Sequence, residues 1–145
     1  MLHGKHKLCY IKIKMNANLT DKRKTGNLGE DLACRYLEKH GHTVIERNYL
    51  KKCGEIDIVA KRNNIIHFIE VKSVSCEIDK NKKSDYRPED NVHEWKLKRL
   101  SKTIQLYILE KNISHETEWV FDVVTVYIDK EKLVSKIHTL ENVVL

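Results

Sequence analysis

The stretch "GEIDIVAKRNNIIHFIEVK", residues 54–72, decides how this chain is read. Two short apolar runs, 55–61 and 65–73, flank an Arg62-Asn63-Asn64 turn signal, which predicts a β-hairpin. Each run carries acid where a strand interior ought to be apolar. Asp57 stands between Ile56 and Ile58, and Glu70 stands between Ile69 and Val71 with Lys72 next. An isolated carboxylate among apolar neighbours is costly, so something must compensate for it.

Strand geometry says what can. Residues two apart share a face, so Glu70 and Lys72 point one way and Val71 the other. In the preceding strand Glu55 and Asp57 are expected on one face, with Ile56 and Ile58 on the opposite one. Closing the hairpin folds Asp57 back beside Glu70. Two carboxylates ~4 Å apart repel by about 4 kcal/mol at an effective dielectric near 20, and a divalent cation between them reverses that sign. Oxygen donors of this kind suit Mg²⁺ or Mn²⁺. Lys72 then lies where it can contact a scissile phosphate or lower the pKa of an attacking water. Metal-dependent phosphodiester hydrolysis needs this combination. A lone Glu-x-Lys is ordinarily a solvated strand face. What sets this one apart is Asp57, Glu70 and Lys72 in order on one hairpin, after a helix that carries Glu30.

Working outward, residues 25–40 read as that helix, capped by Thr25 or Asn27 and stopped by Gly41 at C′. Leu28, Leu32, Ala33, Tyr36 and Leu37 form one apolar arc, and Glu30 sits at its margin. Gly29 in the first turn costs roughly 1 kcal/mol against alanine and is expected where something approaches the backbone. "HTVIERNYL" predicts a strand before the hairpin. Residues 74–87 have no period and many charges, and read as a mobile loop. A second helix is expected over 91–112, with Leu97, Leu100, Ile104, Tyr107 and Ile108 on its apolar arc. "EWVFDVVTVYI" reads as a fourth strand and "LVSKIHTL" as a fifth. Residues 1–24 read as a basic leader, partly disordered, in which "LCYIKIK" can add an edge strand. Residues 25–145 read as a single domain. The predicted fold is an α/β three-layer sandwich, a central mixed sheet of four to five strands flanked by helices.

Composition agrees with that class. The 145 residues suit one domain large enough to fold without a disulfide or metal staple. One proline and five glycines exclude a linker-rich chain. The formal net charge of +6 fits an acidic partner, nucleic acid first. Cys9, Cys34, Cys53 and Cys76 form no CxxC pair, which argues against a zinc ribbon and for reduced thiols in the cytoplasm. No apolar run approaches a membrane span.

The motifs together resemble a known family. "GNLGEDLACRYLEKHGHTVIERNYL", "GEIDIVA", "FIEVKS", the spacing of Val92, Lys96 and Leu100, and "FDVVTV" are similar to the YraN family of uncharacterised bacterial proteins. The D-x₁₂-E-x-K pattern resembles the wider PD-(D/E)xK nuclease superfamily, with its restriction-endonuclease-like fold. The resemblance spans about residues 24–128. It implies Asp57 and Glu70 as metal ligands, with the backbone carbonyl of Val71 as a further one. It implies Lys72 as the catalytic lysine, Glu30 completing the site directly or through a metal-bound water, and Lys96 on phosphate. Two positions depart from the family pattern: Val74 and Val120 stand where arginine is usual, and Lys80, Lys82 and Lys83 are the nearest replacements.

The expectation is therefore a cytoplasmic, Mg²⁺- or Mn²⁺-dependent nuclease acting on DNA, including branched or repair intermediates, with RNA as the other polymer and a homodimer compatible with the fold. Lys98 and Arg99, with Lys96, are the candidate nucleic-acid contacts. The rival expectations are a nucleic-acid-binding protein without turnover and an adaptor that keeps the nuclease fold. Asp122 is assigned a structural role, and Trp119 a packing one.

Overall fold

The computed structural model describes residues 5–12, 22–79 and 94–145. The elements are β1 (Lys5–Lys12), α1 (Lys22–Lys39), β2 (Thr43–Lys51), β3 (Gly54–Arg62), β4 (Ile65–Ser75), α2 (Glu94–Glu110), β5 (Trp119–Asp129) and β6 (Val134–Glu141). The strands form one sheet in the order β1-β6-β5-β4-β3-β2. Only β4 and β5 run parallel, and α2 lies on the crossover between them, as a parallel pair requires.

Side-chain alternation in β5 shows the layering. Phe121 and Val123 join the cluster containing Leu100, Ile104 and Tyr107 of α2. Val124, Val126 and Ile128 join the cluster containing Leu32, Ala33, Tyr36 and Leu37 of α1. The sheet is thus covered by one helix on each face, and its central strand is buried on both, which is why "FDVVTVYI" is nearly continuously apolar. Both apolar arcs expected for the helices face the core.

The architecture is the expected mixed three-layer sandwich, with six strands rather than four to five. The additional one is β1, which pairs along its length with β6, from Lys5↔Glu141 to Lys12↔Val134. The helix α1 begins at Lys22, earlier than the expected cap at Thr25 or Asn27, because Lys22-Arg23-Lys24 are favourable helix formers. It ends as expected. Gly41 has φ +86°, its N–H donates to the Glu38 carbonyl, and the His42 N–H donates to the Leu37 carbonyl. That is a Schellman cap. At Gly29 a Cβ would fall on the Ser73 side chain of β4, so the absent side chain lets α1 lie close to the sheet.

The charged stretch begins later than 74, since β4 runs to Ser75. Lys80, Lys82, Lys83 and Val92 lie outside the described residues, as do residues 1–4 and 13–21 of the leader. All four cysteines are free thiols. Among the described residues no helix is long and apolar enough to cross a membrane.

Candidate active site

The site starts from a turn. Asn63 and Asn64 both take left-handed φ, 51° and 63°, which makes a two-residue hairpin loop whose twist matches the flanking strands. The loop fixes the register from Arg62↔Ile65 to Ile58↔Ile69. One step further the same register sets Asp57 opposite Glu70, and there the ladder stops. The strands part, and β4 continues in pairing with β5 alone. At the parting the Val71 N–H donates to Asp57 Oδ2 at 2.7 Å, so a carboxylate replaces the missing strand partner.

A second irregularity faces the first. The β2–β3 pairs Tyr49↔Ile56 and Arg47↔Ile58 put Asn48 opposite Asp57, and Asn48 has φ 53°. Asparagine tolerates this left-handed conformation better than most residues. Beyond it the strand faces exchange. Tyr49 and Ile56 pack in the α2-side cluster, whereas Ile58 packs in the α1-side cluster. The expectation that Ile56 and Ile58 share a face is therefore wrong. Strict alternation holds only in a regular strand, and this one changes face at Asp57.

The parted strands and the first turns of α2 enclose a cavity of about 370 Å³, lined by Gly54, Glu55, Asp57, Glu70, Val71, Lys96, Arg99 and Leu100. Helix α2 is held against its rim by the Arg99 Nε–H, which donates to the Cys53 carbonyl at 3.1 Å. A Cβ on Gly54 would stand 2.9 Å from Thr103 Oγ1, so glycine permits this approach too.

Burial dominates the electrostatics. It pushes the Asp57 carboxyl up to about 7, with the Glu70, Glu30 and Glu55 charges adding to the rise and the Val71 hydrogen bond opposing it. Burial lowers the Lys72 ammonium from its ordinary value; Glu70 opposes that shift and Lys96 adds to it. The Lys96 ammonium forms an ion pair with Glu70 Oε1, and Glu70 Oε2 is buried with no hydrogen-bond partner among the described residues.

The structure thus brings Asp57, Glu70 and Val71 together on one cavity wall, with Lys96 and Arg99 opposite. Lys72 and Glu30 are not among the described residues that line it. Lys72 is half-buried one step along the same strand face as Glu70. Glu30 lies within electrostatic reach of Asp57, but its carboxylate pairs with Arg47 Nη2 at 3.4 Å. With its amide nitrogen facing that carboxylate, Asn48 donates to Glu30 at 3.1 Å and 3.3 Å. Lys98 is exposed on α2. Lys96, expected on phosphate, rests on Glu70.

Arg47 and Asn48 are the residues that motif reading passes over. Arg47 joins β2 to α1 through Glu30 and through Asp31 at 2.9 Å, and Asn48 sets the change of face. The detectable signal was an asparagine inside an otherwise strand-like run. Asp122 takes the structural role assigned to it. It is buried and accepts from His67 Nδ1 at 2.6 Å and from the Asn142 N–H at 2.8 Å. Trp119 packs edge-on against Phe68.

Among the described residues no group of three Asp, Glu, His or Cys side chains forms a ready-made metal cage. The carboxylates of Asp57 and Glu70 and the backbone of Val71 line the same cavity wall. The unpartnered Glu70 Oε2 is a buried acceptor of the kind a hard cation would satisfy. The donor set therefore fits such an ion.

Comparison with known proteins agrees on the extent of the similarity. Residues 29–126 match the model of a family described as "Uncharacterised protein family UPF0102". A UPF0102 protein of Campylobacter jejuni subsp. jejuni is 42% identical over 91 residues, covering 63% of this chain and 74% of that protein. One from Campylobacter hominis is 39% identical over 110 residues, 76% of this chain and 88% of the relative. One from Aliarcobacter butzleri is 36% identical over 117 residues, 79% and 96% respectively.

Proposed function

The chain belongs to the uncharacterised protein family UPF0102, and from that premise and the cavity's geometry we propose a Mg²⁺- or Mn²⁺-dependent nuclease. Its reaction is hydrolysis of phosphodiester bonds in DNA, with branched, repair or recombination intermediates as the preferred class. The observation that carries this reading is the carboxylate pair at the parting of β3 and β4, next to a partly desolvated lysine.

Asp57 and Glu70, with the Val71 carbonyl, would hold the cation. When bound, the cation supplies a water of lowered pKa and neutralises charge on the phosphate. The chain's own residues do the rest. Asp57 is anchored by the Val71 N–H, so its remaining oxygen keeps a fixed direction. Its high proton affinity falls once positive charge arrives, and it then stays ionised. Lys72, with its ammonium weakened by burial, exchanges a proton more readily than a solvated lysine and can hydrogen-bond the attacking water. Glu30 adds negative charge from the α1 side. Lys96, Lys98 and Arg99 present cations along the exposed start of α2, where a phosphate backbone would run.

A second reading has its own support: a nucleic-acid-binding or adaptor protein without turnover. Lys96 already neutralises Glu70, and Asp57 is close to protonation at neutral pH, so the two acids tolerate each other without a cation. RNA as the polymer bound, a homodimer and a cytoplasmic location belong with either reading as proposals.

One experiment separates the two. Wild type, Asp57→Ala and Glu70→Ala are incubated with Mn²⁺ and a panel of single-stranded, duplex and branched DNA and RNA. Cleavage by wild type and its loss in both folded variants is the expected result. Binding without Mn²⁺-dependent cleavage of any substrate transfers support to the second reading.

A further inference from the structure

We propose that Lys96 couples cation binding to phosphate capture: it occupies Glu70 in place of the cation, and on exchange it turns to the phosphodiester. This rests on the nuclease reading and assigns the site its order of events.

The ion pair is asymmetric in a way that decides which partner moves. Glu70 is fixed on a central strand with its side chain 13% exposed, whereas the Lys96 side chain is 40% exposed on the first turns of α2. A lysine is a point charge on a flexible stem with rotatable donors, so it can change partner without moving the backbone. Glu70 stays with one oxygen on Lys96 and the other buried without a partner. A single ammonium thus half-satisfies a carboxylate that two or more donors would complete.

Charge balance supplies the coupling. The acids Glu55, Asp57 and Glu70 line the cavity with the cations Lys96 and Arg99, and Lys72 lies outside the lining on β4. A phosphodiester approaching a set with no excess of positive charge in its lining gains little. A divalent cation at Asp57 and Glu70 adds two positive charges and displaces an ammonium that stays within reach of the same cavity. The site then attracts a phosphate, and by reciprocity bound phosphate retains the cation. A purely structural clamp between α2 and β4 predicts no such exchange, and neither does a lysine that contacts phosphate alone.

The test compares wild type, Lys96→Met and Lys96→Arg. Mn²⁺ binding is measured by calorimetry without nucleic acid. Binding of a fluorescent DNA duplex is measured with and without Ca²⁺, which supports binding without turnover, at constant ionic strength. Removing the competing ammonium should tighten Mn²⁺ binding in Lys96→Met by about tenfold, the scale of a typical site–site coupling. The same variant should lose most of the Ca²⁺-induced gain in DNA affinity, and Lys96→Arg should keep it. Mn²⁺ affinity unchanged or weakened in Lys96→Met overturns the coupling, as does an undiminished DNA gain. If wild type binds Mn²⁺ but those differences are missing, the coupling alone fails. If wild type binds no Mn²⁺, the nuclease reading fails with it.

Discussion

Replacing Asp57 by asparagine should stabilise this protein in chelator, by an amount that depends on pH. Asp57 is held near pKa 7 in the fold against 3.8 for an ordinary aspartate. The folded state therefore binds its proton more tightly than the unfolded state. Between those two values unfolding releases a proton, so stability falls as pH rises and levels off above about 7. At about 1.4 kcal/mol per pKa unit, the full penalty at high pH is about 4 kcal/mol. Some 2–3 kcal/mol of it develops between pH 5 and pH 8. Asparagine carries no charge, and its oxygen can still accept the Val71 N–H. The assay is urea unfolding of both proteins with EDTA at several pH values. The wild-type curve also contains His42, whose shift acts in the opposite direction, but that contribution cancels in the difference. The advantage of Asp57→Asn should widen from pH 5 to about pH 7 and change little above that. Parallel stability curves would refute the burial-driven shift and the carboxylate cluster with it.

Two further outcomes follow from the packing. Gly29→Ala gains roughly 1 kcal/mol of helix propensity but drives a methyl into Ser73, so a net loss of about 1–2 kcal/mol is expected in urea midpoints. Gly29→Ala with Ser73→Gly should recover most of it, and a more stable single variant would contradict the close approach of α1 to β4. His42 is buried against His67, and burial lowers its pKa to about 4 with help from the Arg62 and His67 charges. Its ring should stay neutral in an NMR titration until the pH nears 4. The stability it contributes should be present above pH 6.5 and be lost as the pH falls toward 4, and a midpoint near 6.5 would show that the ring is hydrated.

The layers of this fold were legible because periodicity is a local property. Leu32, Tyr36 and Leu37 on one helix, and Leu100, Ile104 and Tyr107 on the other, announce their buried faces by spacing alone. The same holds for the Asn63-Asn64 turn and the Gly41 stop, where the backbone conformation is dictated by one or two residues. The meeting of Asp57 with Glu70 was legible because a hairpin of fixed loop length converts sequence offset into register. What was not legible depends on a break in a rule. The change of face at Asn48 and Asp57 sends Ile56 and Ile58 to opposite cores, and no alternation pattern can announce its own interruption. The partner of Lys96 was hidden for another reason. It depends on where α2 lands after a long crossover, and a family motif names the lysine without naming the acid it rests on. The same blindness applies to Arg47, whose partners sit on α1.

The mixed sheet also implies an order of assembly. Strands β2, β3 and β4 form a meander of consecutive antiparallel neighbours within residues 43–75, closed by two tight turns. Contacts so close along the chain form early, because little loop entropy opposes them. The parallel β4–β5 pairing and the docking of α2 close a much longer loop and must come later. During synthesis, then, Asp57 and Glu70 meet before the helix that carries Lys96 has docked on them. The nascent protein passes through an interval in which Glu70 lacks the ammonium that pairs with it in the finished fold.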